Sequence, residues 1–284
     1  MEIFTRISEI MNYLHVKKII GHEIGFVPTM GALHDGHLTL IKASKSKNLL
    51  TVASIFVNPT QFGPNEDFDK YPRTIEQDIA LLKSVNCDVL FLPSVEEMYP
   101  TPSAIVLSMP SLTQKYEGKF RKGHFEGVML IVAKLFNIIL PDVAFFGQKD
   151  FQQCAVIKQM VKDLSFPIKI EIIPTVREKD GLAMSSRNRY LNEVERQKAV
   201  GIYQTLVYIK NMVQHEKNVD NLVKHAYDYI QKFGFTQIDY IDIVHADTLE
   251  NLQHAHAENK PVMLITARLG TTRLLDNMYL YDMN

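Results

Sequence analysis

The chain has 284 residues, 46% of them hydrophobic, which is enough to bury one large core or two smaller ones. Its 31 basic and 32 acidic residues leave a formal charge of −1, so bulk electrostatics do not favour a nucleic acid or a membrane surface as the main partner. The two cysteines, Cys87 and Cys154, each lie in an apolar stretch. We expect both to be buried, reduced thiols of a cytoplasmic protein.

The N-terminal stretch MEIFTRISEIMNYL carries charges where a signal peptide needs an unbroken apolar segment, so it predicts an amphipathic helix. The most apolar later run is GVMLIVAKLFNIIL, from Gly127 to Leu140. It contains Lys134 and Asn137 and is shorter than the about 20 residues that a bilayer-spanning helix needs. We expect this run to be a buried helix rather than a membrane segment.

Short β-branched segments alternate with helical ones along the first part of the chain. The predicted strands are IGFVP, LLTVASIFVNP, CDVLFLP, DVAFFG and IKIEIIPTV. Helices are predicted to begin near His37, Thr74, Gly127 and Asp150. This alternation indicates a parallel sheet whose two faces are covered by helices.

The last part of the chain has a different pattern. Two helices are predicted over residues 193–214 and 218–233, and the segments IDYIDIVHA, PVMLITARLG and TTRLLDNMYL after them indicate antiparallel strands. We therefore predict an α/β protein of two domains: a parallel-sheet domain over residues 1–175 and a smaller α+β domain over residues 176–284.

The segment PTMGALHDGH lies where a predicted strand ends and a helix begins. Ligands of open α/β sheets bind at this end of the strands, and a helix N-terminus with free amides favours anions. We expect Asp35 to cap the helix, and Gly31 and Gly36 to let the backbone approach a phosphate closely. His34 and His37 are three residues apart and would face the same ligand. The pattern suits a nucleoside triphosphate.

Two other interpretations of this segment stay open. The histidines could merely satisfy backbone groups of a glycine-rich turn, which is a common structure after a strand. They could also share a metal ion, although no cysteine or carboxylate stands at a suggestive spacing as a third ligand.

Three further segments place polar residues where a strand or a domain ends. In FVNPTQFGPNEDFDKYPRT, the amide of Gln61 could bind a hydroxy acid. In FFGQKDFQQ, Lys149 offers a mobile cation for phosphate, and Gln153 lies one helical turn further on. The third segment, REKDGLAMSSRNRYL, is basic and could surround an anion with Ser185, Ser186 and Arg187. A solvated lysine and a helix-capping serine are the plain structural alternatives.

Together these segments resemble the pantoate–β-alanine ligase family over nearly the whole chain. PTMGALHDGH is similar to that family's form of the HIGH signature of class I aminoacyl-tRNA synthetases, and AMSSRN to its counterpart of their KMSKS loop. FVNPTQF, YPRT and GQKDFQQ resemble segments specific to the family. Compared with the synthetases, this chain has serine and arginine where the KMSKS loop has lysine.

The resemblance implies a Rossmann-like nucleotidyltransferase domain with a smaller lid domain, and a two-step reaction in the cytoplasm. ATP and pantoate would give pantoyl adenylate and pyrophosphate, and β-alanine would then give pantothenate and AMP. The resemblance also implies that ATP is bound by Met30, Gly31, Ala32, Leu33, His34, Asp35, Gly36, His37, Gly147, Gln148, Lys149, Asp150, Val176, Met184, Ser185, Ser186 and Arg187.

Catalysis is assigned by the same resemblance to six of these side chains, with acid duty at His37: His34, His37, Lys149, Ser185, Ser186 and Arg187. Pantoate would be bound by Pro28, Met30, Gln61 and Gln153. Magnesium would accompany ATP, held mainly by phosphate oxygens, with Asp78 as a candidate protein ligand. The family also implies a homodimer formed through the N-terminal domain.

Two rival functions share part of this pattern. A tRNA-charging enzyme would carry the nucleotide motifs, but this chain lacks a basic appended region with interleaved aromatic residues. A non-catalytic nucleotide sensor would need the fold but not both Lys149 and the serine loop. Binding of tRNA at moderate salt and formation of AMP distinguish these functions from the ligase.

Overall fold

The computed structural model describes residues 1–64, 66 and 68–282, which divide into two compact units. The first unit consists of Met1–Gly147 and Val156–Pro174, and the second of Gln148–Ala155 and the chain from Thr175 onward. The second unit thus includes eight residues, 148–155, that the sequence-based boundary assigned to the first domain.

The strands of the first unit are β1 (Glu2–Phe4), β2 (Ile24–Thr29), β3 (Leu50–Ile55), β4 (Val89–Phe91), β5 (Val143–Gly147) and β6 (Lys169–Ile173). They form one sheet in the order β1-β4-β3-β2-β5-β6, and every neighbouring pair is parallel. The inner strands are apolar runs buried on both faces, as expected of a sheet covered by helices. The predicted parallel, Rossmann-like sheet is confirmed.

The helices that begin in this part of the chain are α1 (Ile7–Ile19), α2 (Asp35–Ser46), α3 (Ile75–Ser84), α4 (Val95–Met98), α5 (Pro110–Thr113), α6 (Tyr116–Phe120), α7 (His124–Ile139) and α8 (Phe151–Asp163). α7 is buried along most of its length, as its apolar sequence predicts. The N-terminal prediction was wrong in one respect: Glu2–Phe4 is a strand rather than part of the helix. Its pairing with β4 is a long-range contact that local sequence does not show.

The second unit contains α9 (Glu193–Ala199), α10 (Gly201–Met212), α11 (Val219–Ile230), β7 (Gln237–His245), β8 (Pro261–Leu269) and β9 (Thr272–Tyr279). The three strands form an antiparallel sheet, as predicted. One predicted helix over residues 193–214 is instead two helices that meet at Val200. The second helix starts at Gly201, which packs against the ring of Phe233. A Cβ added to Gly201 would lie 2.3 Å from that ring, so the close contact requires glycine.

The sheet of the first unit opens between β2 and β5. The carbonyl of Ile24 accepts from the amide of Asp142 at the start of β5, so Ile24, Phe26 and Pro28 are the residues whose main-chain groups face β5. Proline has no N–H to donate. The pairing of β2 with β5 ends at Phe26 and Ala144, whereas β5 continues to pair with β6 as far as Gly147. The strand order also reverses between β2 and β5, which makes this position the topological switch point, where open α/β sheets bind ligands.

Two smaller expectations also have outcomes. Both cysteines are buried thiols, as predicted, and burial raises the pKa of the Cys87 thiol to about 11, which keeps it protonated and unreactive. Within the part of the chain that the structure describes, no helix combines the length and the apolar character needed to cross a membrane.

Candidate active site

The turn between β2 and α2 is held in shape by a buried carboxylate. Gly31 and Ala32 both adopt left-handed backbone conformations, with φ of 79° and 49°. Asp78, which is 1% exposed, accepts the amide of Ala32 at 3.0 Å through one oxygen and the amide of Leu33 at 2.8 Å through the other. The Thr74 hydroxyl lies 3.3 Å from both of these oxygens. Asp78 therefore supports the turn that the PTMGALHDGH segment forms.

The two histidines form a reciprocal cap at the start of α2. Nδ1 of His34 accepts from the amide of Gly36 at 3.2 Å, and Nδ1 of His37 accepts from the amide of His34 at 3.3 Å. Their rings lie 4.1 Å apart. A nitrogen that accepts a hydrogen bond carries no proton. In the neutral form of each ring, these bonds therefore place the N–H at Nε2. Both rings thus carry an Nε2–H donor.

These contacts change two details of the sequence-based expectation. The N-cap of α2 is His34, not Asp35, which is the first helical residue. Gly31 and Gly36 were expected to let the backbone approach a phosphate closely, and their amides are bonded to the Thr29 hydroxyl and to Nδ1 of His34. The donors that this turn can offer to an anion are therefore chiefly side-chain donors.

Gln61 lies at the end of the short 3-10 helix Pro59–Gln61 and is 7% exposed. Nδ2 of Asn58 donates to the carbonyl of Gly127, and Oδ1 of Asn58 accepts from the amide of Thr60. These two bonds assign the NH₂ and oxygen ends of the side chain. Its NH₂ group then donates to Oε1 of Gln61 at 3.0 Å. Nε2 of Gln61 consequently points at the sulfur of Met30, 3.1 Å away. Sulfur is a weak acceptor, so this donor would bond more strongly to an oxygen acceptor.

Helix α7 packs against the turn that carries Asn58 and Gln61. A Cβ on Gly127 would lie 2.2 Å from the carbonyl oxygen of Thr60, so only glycine allows the helix to approach the Pro59–Gln61 turn this closely. Tyr99 donates to Oδ1 of Asn58 at 2.9 Å, and burial raises the pKa of its phenol, which keeps the donor protonated. The amide of Gln61 is thus oriented by groups from three separate parts of the chain.

His124, in the first turn of α7, holds the main chain of Gln61. Its Nδ1 lies 2.9 Å from the Gln61 carbonyl oxygen, and its Nε2 lies 3.0 Å from the guanidinium of Arg121. Arginine can only donate, so Nε2 is the acceptor and Nδ1 carries the proton. Arg121 in turn makes a bidentate pair with Glu66. Burial, aided by the nearby Arg121 charge, lowers the pKa of His124 to about 4.

This neutral histidine makes stability depend on pH. The folded-state pKa lies below the ordinary value of 6.5, so the unfolded chain binds more protons between about pH 4 and 6.5 and the free energy of unfolding falls as the pH is lowered through that window. The shift corresponds to about 3 kcal/mol at most. We expect His124→Asn, which keeps a donor near the Nδ1 position, to remove this part of the pH dependence in urea denaturation. The exposed His15→Asn variant is the control, and an unchanged pH dependence in His124→Asn would contradict the assignment.

In the second unit, Lys149 lines a pocket together with Ser185, Arg187, Arg273 and Asp276. The Lys149 ammonium lies 3.3 Å from the carboxylate of its neighbour Asp150, and the lysine side chain is 20% exposed. Three cationic side chains at one pocket suit an anionic ligand.

The AMSSRN loop is closed by backbone pairing. The amide of Met184 donates to the carbonyl of Val176 at 3.0 Å. Ser185 caps the 3-10 helix Ser186–Tyr190 by accepting the amide of Arg187 at 3.3 Å. The NH₂ group of Asn188 bonds Glu178 and the carbonyl of Ala183, both at 3.0 Å. The serine thus has the capping role that was the plain structural alternative, and its pocket position leaves an anion-binding role as a prediction.

The predicted site residues therefore fall into two clusters. The first unit brings together His34 with His37, and Met30 with Gln61. The second unit brings Lys149 together with Ser185 and Arg187, while Gln153 lies half-buried in the first turn of α8. The supporting residues that sequence reasoning missed are Asn58, Tyr99, His124 and Asn277. Asn58 lies in the FVNPTQF segment, but its contacts with Gly127 and Tyr99 join residues 69 and 41 positions apart, so no local signal could identify them.

A parallel sheet whose strand order reverses between β2 and β5, with a histidine pair after the carboxyl end of β2, defines a Rossmann-like α/β protein. The family model described as pantoate-beta-alanine ligase matches residues 2–279. The chain therefore belongs to the pantoate–β-alanine ligase family.

Named relatives agree with this assignment. Pantothenate synthetase of Caldicellulosiruptor saccharolyticus is 50% identical over 98% of this chain and 99% of its own length, and that of Thermoanaerobacter sp. (strain X514) is 47% identical over 98% of both chains. The crystal structure of pantothenate synthetase from Thermus thermophilus has a TM-score of 0.92 and 40% identity, covering 99% of this chain and 100% of the other. Pantoate–β-alanine ligase from Francisella tularensis, solved with Beta-gamma ATP and β-alanine, has a TM-score of 0.79 and 36% identity, covering 99% and 98%.

Proposed function

We propose that the protein condenses pantoate with β-alanine in an ATP-dependent reaction that proceeds through pantoyl adenylate and releases pyrophosphate and AMP. The observation that carries this proposal is the full-length likeness to pantothenate synthetases, one of them solved with an ATP compound and β-alanine. The clusters described above supply the donors and cations that such a reaction needs.

In the first step, a carboxylate oxygen of pantoate attacks the α-phosphorus of ATP. The new P–O bond forms as the bond to the β-phosphate oxygen breaks, and the electron pair leaves with pyrophosphate. Negative charge therefore grows on the departing phosphates, and positioned donors and cations stabilise it. We assign this role to His34 and His37 through their Nε2–H groups, and to Lys149, Ser185, Ser186 and Arg187. His37 is the acid suggested by family resemblance.

In the second step, the neutral amine of β-alanine attacks the carbonyl carbon of the adenylate. The C–O bond to the phosphate breaks, AMP leaves with that electron pair, and the ammonium formed at the new bond loses its proton to water. No protein nucleophile is required, because the adenylate already provides a good leaving group. The contribution of the protein is to orient the reactants and exclude competing water.

Magnesium is assigned to the nucleotide rather than to a protein cage. Among the residues that the structure describes, no group of three or more His, Cys, Asp or Glu side chains is arranged to hold a metal. Both oxygens of Asp78 already accept backbone amides, which favours its structural role over the predicted metal-ligand role. Phosphate oxygens and water are the usual main ligands of magnesium in such complexes.

Gln61 and Gln153 are assigned to pantoate, with Pro28 and Met30 as neighbouring walls of the site. An amide can bind the pantoate hydroxyls without neutralising the attacking carboxylate. We expect Gln61→Ala or Gln153→Ala to weaken pantoate binding about tenfold to a hundredfold, since losing one buried hydrogen bond costs about 1–3 kcal/mol, and to leave ATP binding nearly unchanged. Calorimetric titration of each ligand measures both, with the exposed Gln77→Ala as the control. A variant that lost ATP affinity but kept pantoate affinity would reverse the assignment.

The reaction itself is tested by mixing the protein with ATP, magnesium, pantoate and β-alanine and identifying the products. Equal amounts of AMP, pyrophosphate and pantothenate are expected, whereas ADP with phosphate would overturn the proposal. Binding of tRNA at moderate salt would instead support a tRNA-charging function, and ATP binding with no AMP formation a nucleotide sensor. The cytoplasmic location and the homodimer suggested by the family remain predictions, and sedimentation equilibrium tests the latter.

A further inference from the structure

Asn277 is a buried polar residue of β9 that contacts the segment carrying Lys149. Its side chain is almost wholly enclosed, at 2% exposure. The NH₂ group donates to the carbonyl oxygen of Gln148 at 3.0 Å and to that of Lys149 at 2.8 Å. Its Oδ1 accepts from Nε2 of Gln148 at 3.2 Å. One amide therefore makes three hydrogen bonds to two successive residues.

This arrangement needs the chemistry of an amide. The two main-chain carbonyls can only accept, so their partner must offer two hydrogens from one short side chain. An aspartate of the same shape would place a carboxylate oxygen, which can only accept, against the two carbonyl oxygens. Two residues further along β9, the ring of Tyr279 meets that of Phe151 edge-on with centroids 5.6 Å apart. Strand β9 thus contacts the Lys149 segment on both sides of the lysine.

The main chain at Gln148 and Lys149 is therefore bonded to Asn277 of β9, which lies 128 residues from Lys149 in sequence. These contacts also explain why residues 148–155 belong to the second unit. A flexible lysine reaches a fixed target reliably only if its Cα is fixed, since the four-carbon stem adds freedom of its own.

We propose that Asn277 is a positioning residue for Lys149: by binding the carbonyls of Gln148 and Lys149 it holds the main chain from which the lysine reaches the phosphates of ATP. The proposal rests on the proposed function for the role of Lys149, and on the structure for the contact. Asn277 touches no reacting atom in this scheme and acts only through the segment it binds.

The test is a double-mutant cycle read by pantoate-dependent exchange of pyrophosphate into ATP, which reports the adenylation step. Asn277→Asp is expected to slow exchange at least about tenfold in the wild-type background and less than about threefold in the Lys149→Ala background, because a lost lysine no longer needs positioning. An equal factor in both backgrounds would overturn the proposal. If Asn277→Asp does not fold, Asn277→Ala takes its place in the same cycle.

A second readout does not depend on activity. Amide hydrogen exchange across residues 148–152 is expected to accelerate in the Asn277 variants. It is expected to stay unchanged in Leu280→Ala, which removes a fully buried side chain just after β9 and serves as a matched destabilising control. Equal exchange in wild type and the Asn277 variants would overturn the proposal. A wild-type protein without pyrophosphate exchange would instead count against the proposed function, and the hydrogen-exchange result would still decide the contact.

Discussion

Replacing Lys149 with alanine is expected to slow adenylate formation by a factor of about a hundred or more. One charge-stabilising contact at a developing negative charge contributes about 3 kcal/mol or more in water-excluded sites. The melting temperature is expected to fall by no more than about 2–4 °C, because this lysine pairs with the half-exposed carboxylate of Asp150, and such pairs stabilise folds by less than about 1 kcal/mol. Pyrophosphate exchange measures the step, and calorimetric melting measures the fold.

The matched control for this variant is Lys158→Ala, which removes the same charge from an exposed position on α8. It is expected to exchange pyrophosphate at the wild-type rate. Wild-type exchange in a folded Lys149→Ala protein would remove Lys149 from the list of catalytic residues. A comparable loss in both variants would indicate a general effect of charge rather than a specific contact.

Replacing Asp78 with alanine is expected to destabilise the first unit by about 3 kcal/mol or more. The change leaves the buried amides of Ala32 and Leu33 without their acceptors, and each such orphaned donor costs about 1–3 kcal/mol. Without the carboxylate, the left-handed turn at Gly31 and Ala32 also loses the contacts that hold it. Urea denaturation in the absence of ATP and magnesium measures the effect.

Glu76→Ala, an exposed change in the same first turn of α3, is the control for lost charge and is expected to alter stability by less than about 0.5 kcal/mol. The Asp78 result separates the two roles considered for this residue. An Asp78→Ala protein with wild-type stability in metal-free buffer but a greatly raised magnesium requirement would restore Asp78 as a metal ligand and contradict the structural role.

The sequence predicted the parallel sheet and the antiparallel C-terminal strands because their apolar runs and β-branched residues are local signals. It also predicted that His34, His37 and Gln61 follow strand ends, where ligands of such sheets bind, and the structure places them there; their roles stay predictions. The supporting contacts were not predictable. Asp78 is 46 residues from Ala32, and Asn277 is 128 residues from Lys149. Nothing in a local pattern shows which distant group will satisfy a buried amide or carbonyl.

The misassigned cap of α2 shows a different limit. Aspartate is a favoured N-cap, so Asp35 was a reasonable choice. The structure uses His34 because its ring is held against the ring of His37, and each Nδ1 receives an amide of the same turn. Propensity ranks single residues, whereas this cap depends on two side chains acting together.

The pairing of β2 with β5 stops just before Pro28, and the main chain of this residue bears directly on that stop. Any other residue at this position would present an N–H toward β5, on the side where the neighbouring strand continues to Gly147. Proline lacks this N–H, so β2 cannot donate the next hydrogen bond of a ladder with β5. The absent donor agrees with a β2–β5 pairing that ends at Phe26 and Ala144. The end of this pairing therefore follows from the main chain of one residue rather than from a side chain.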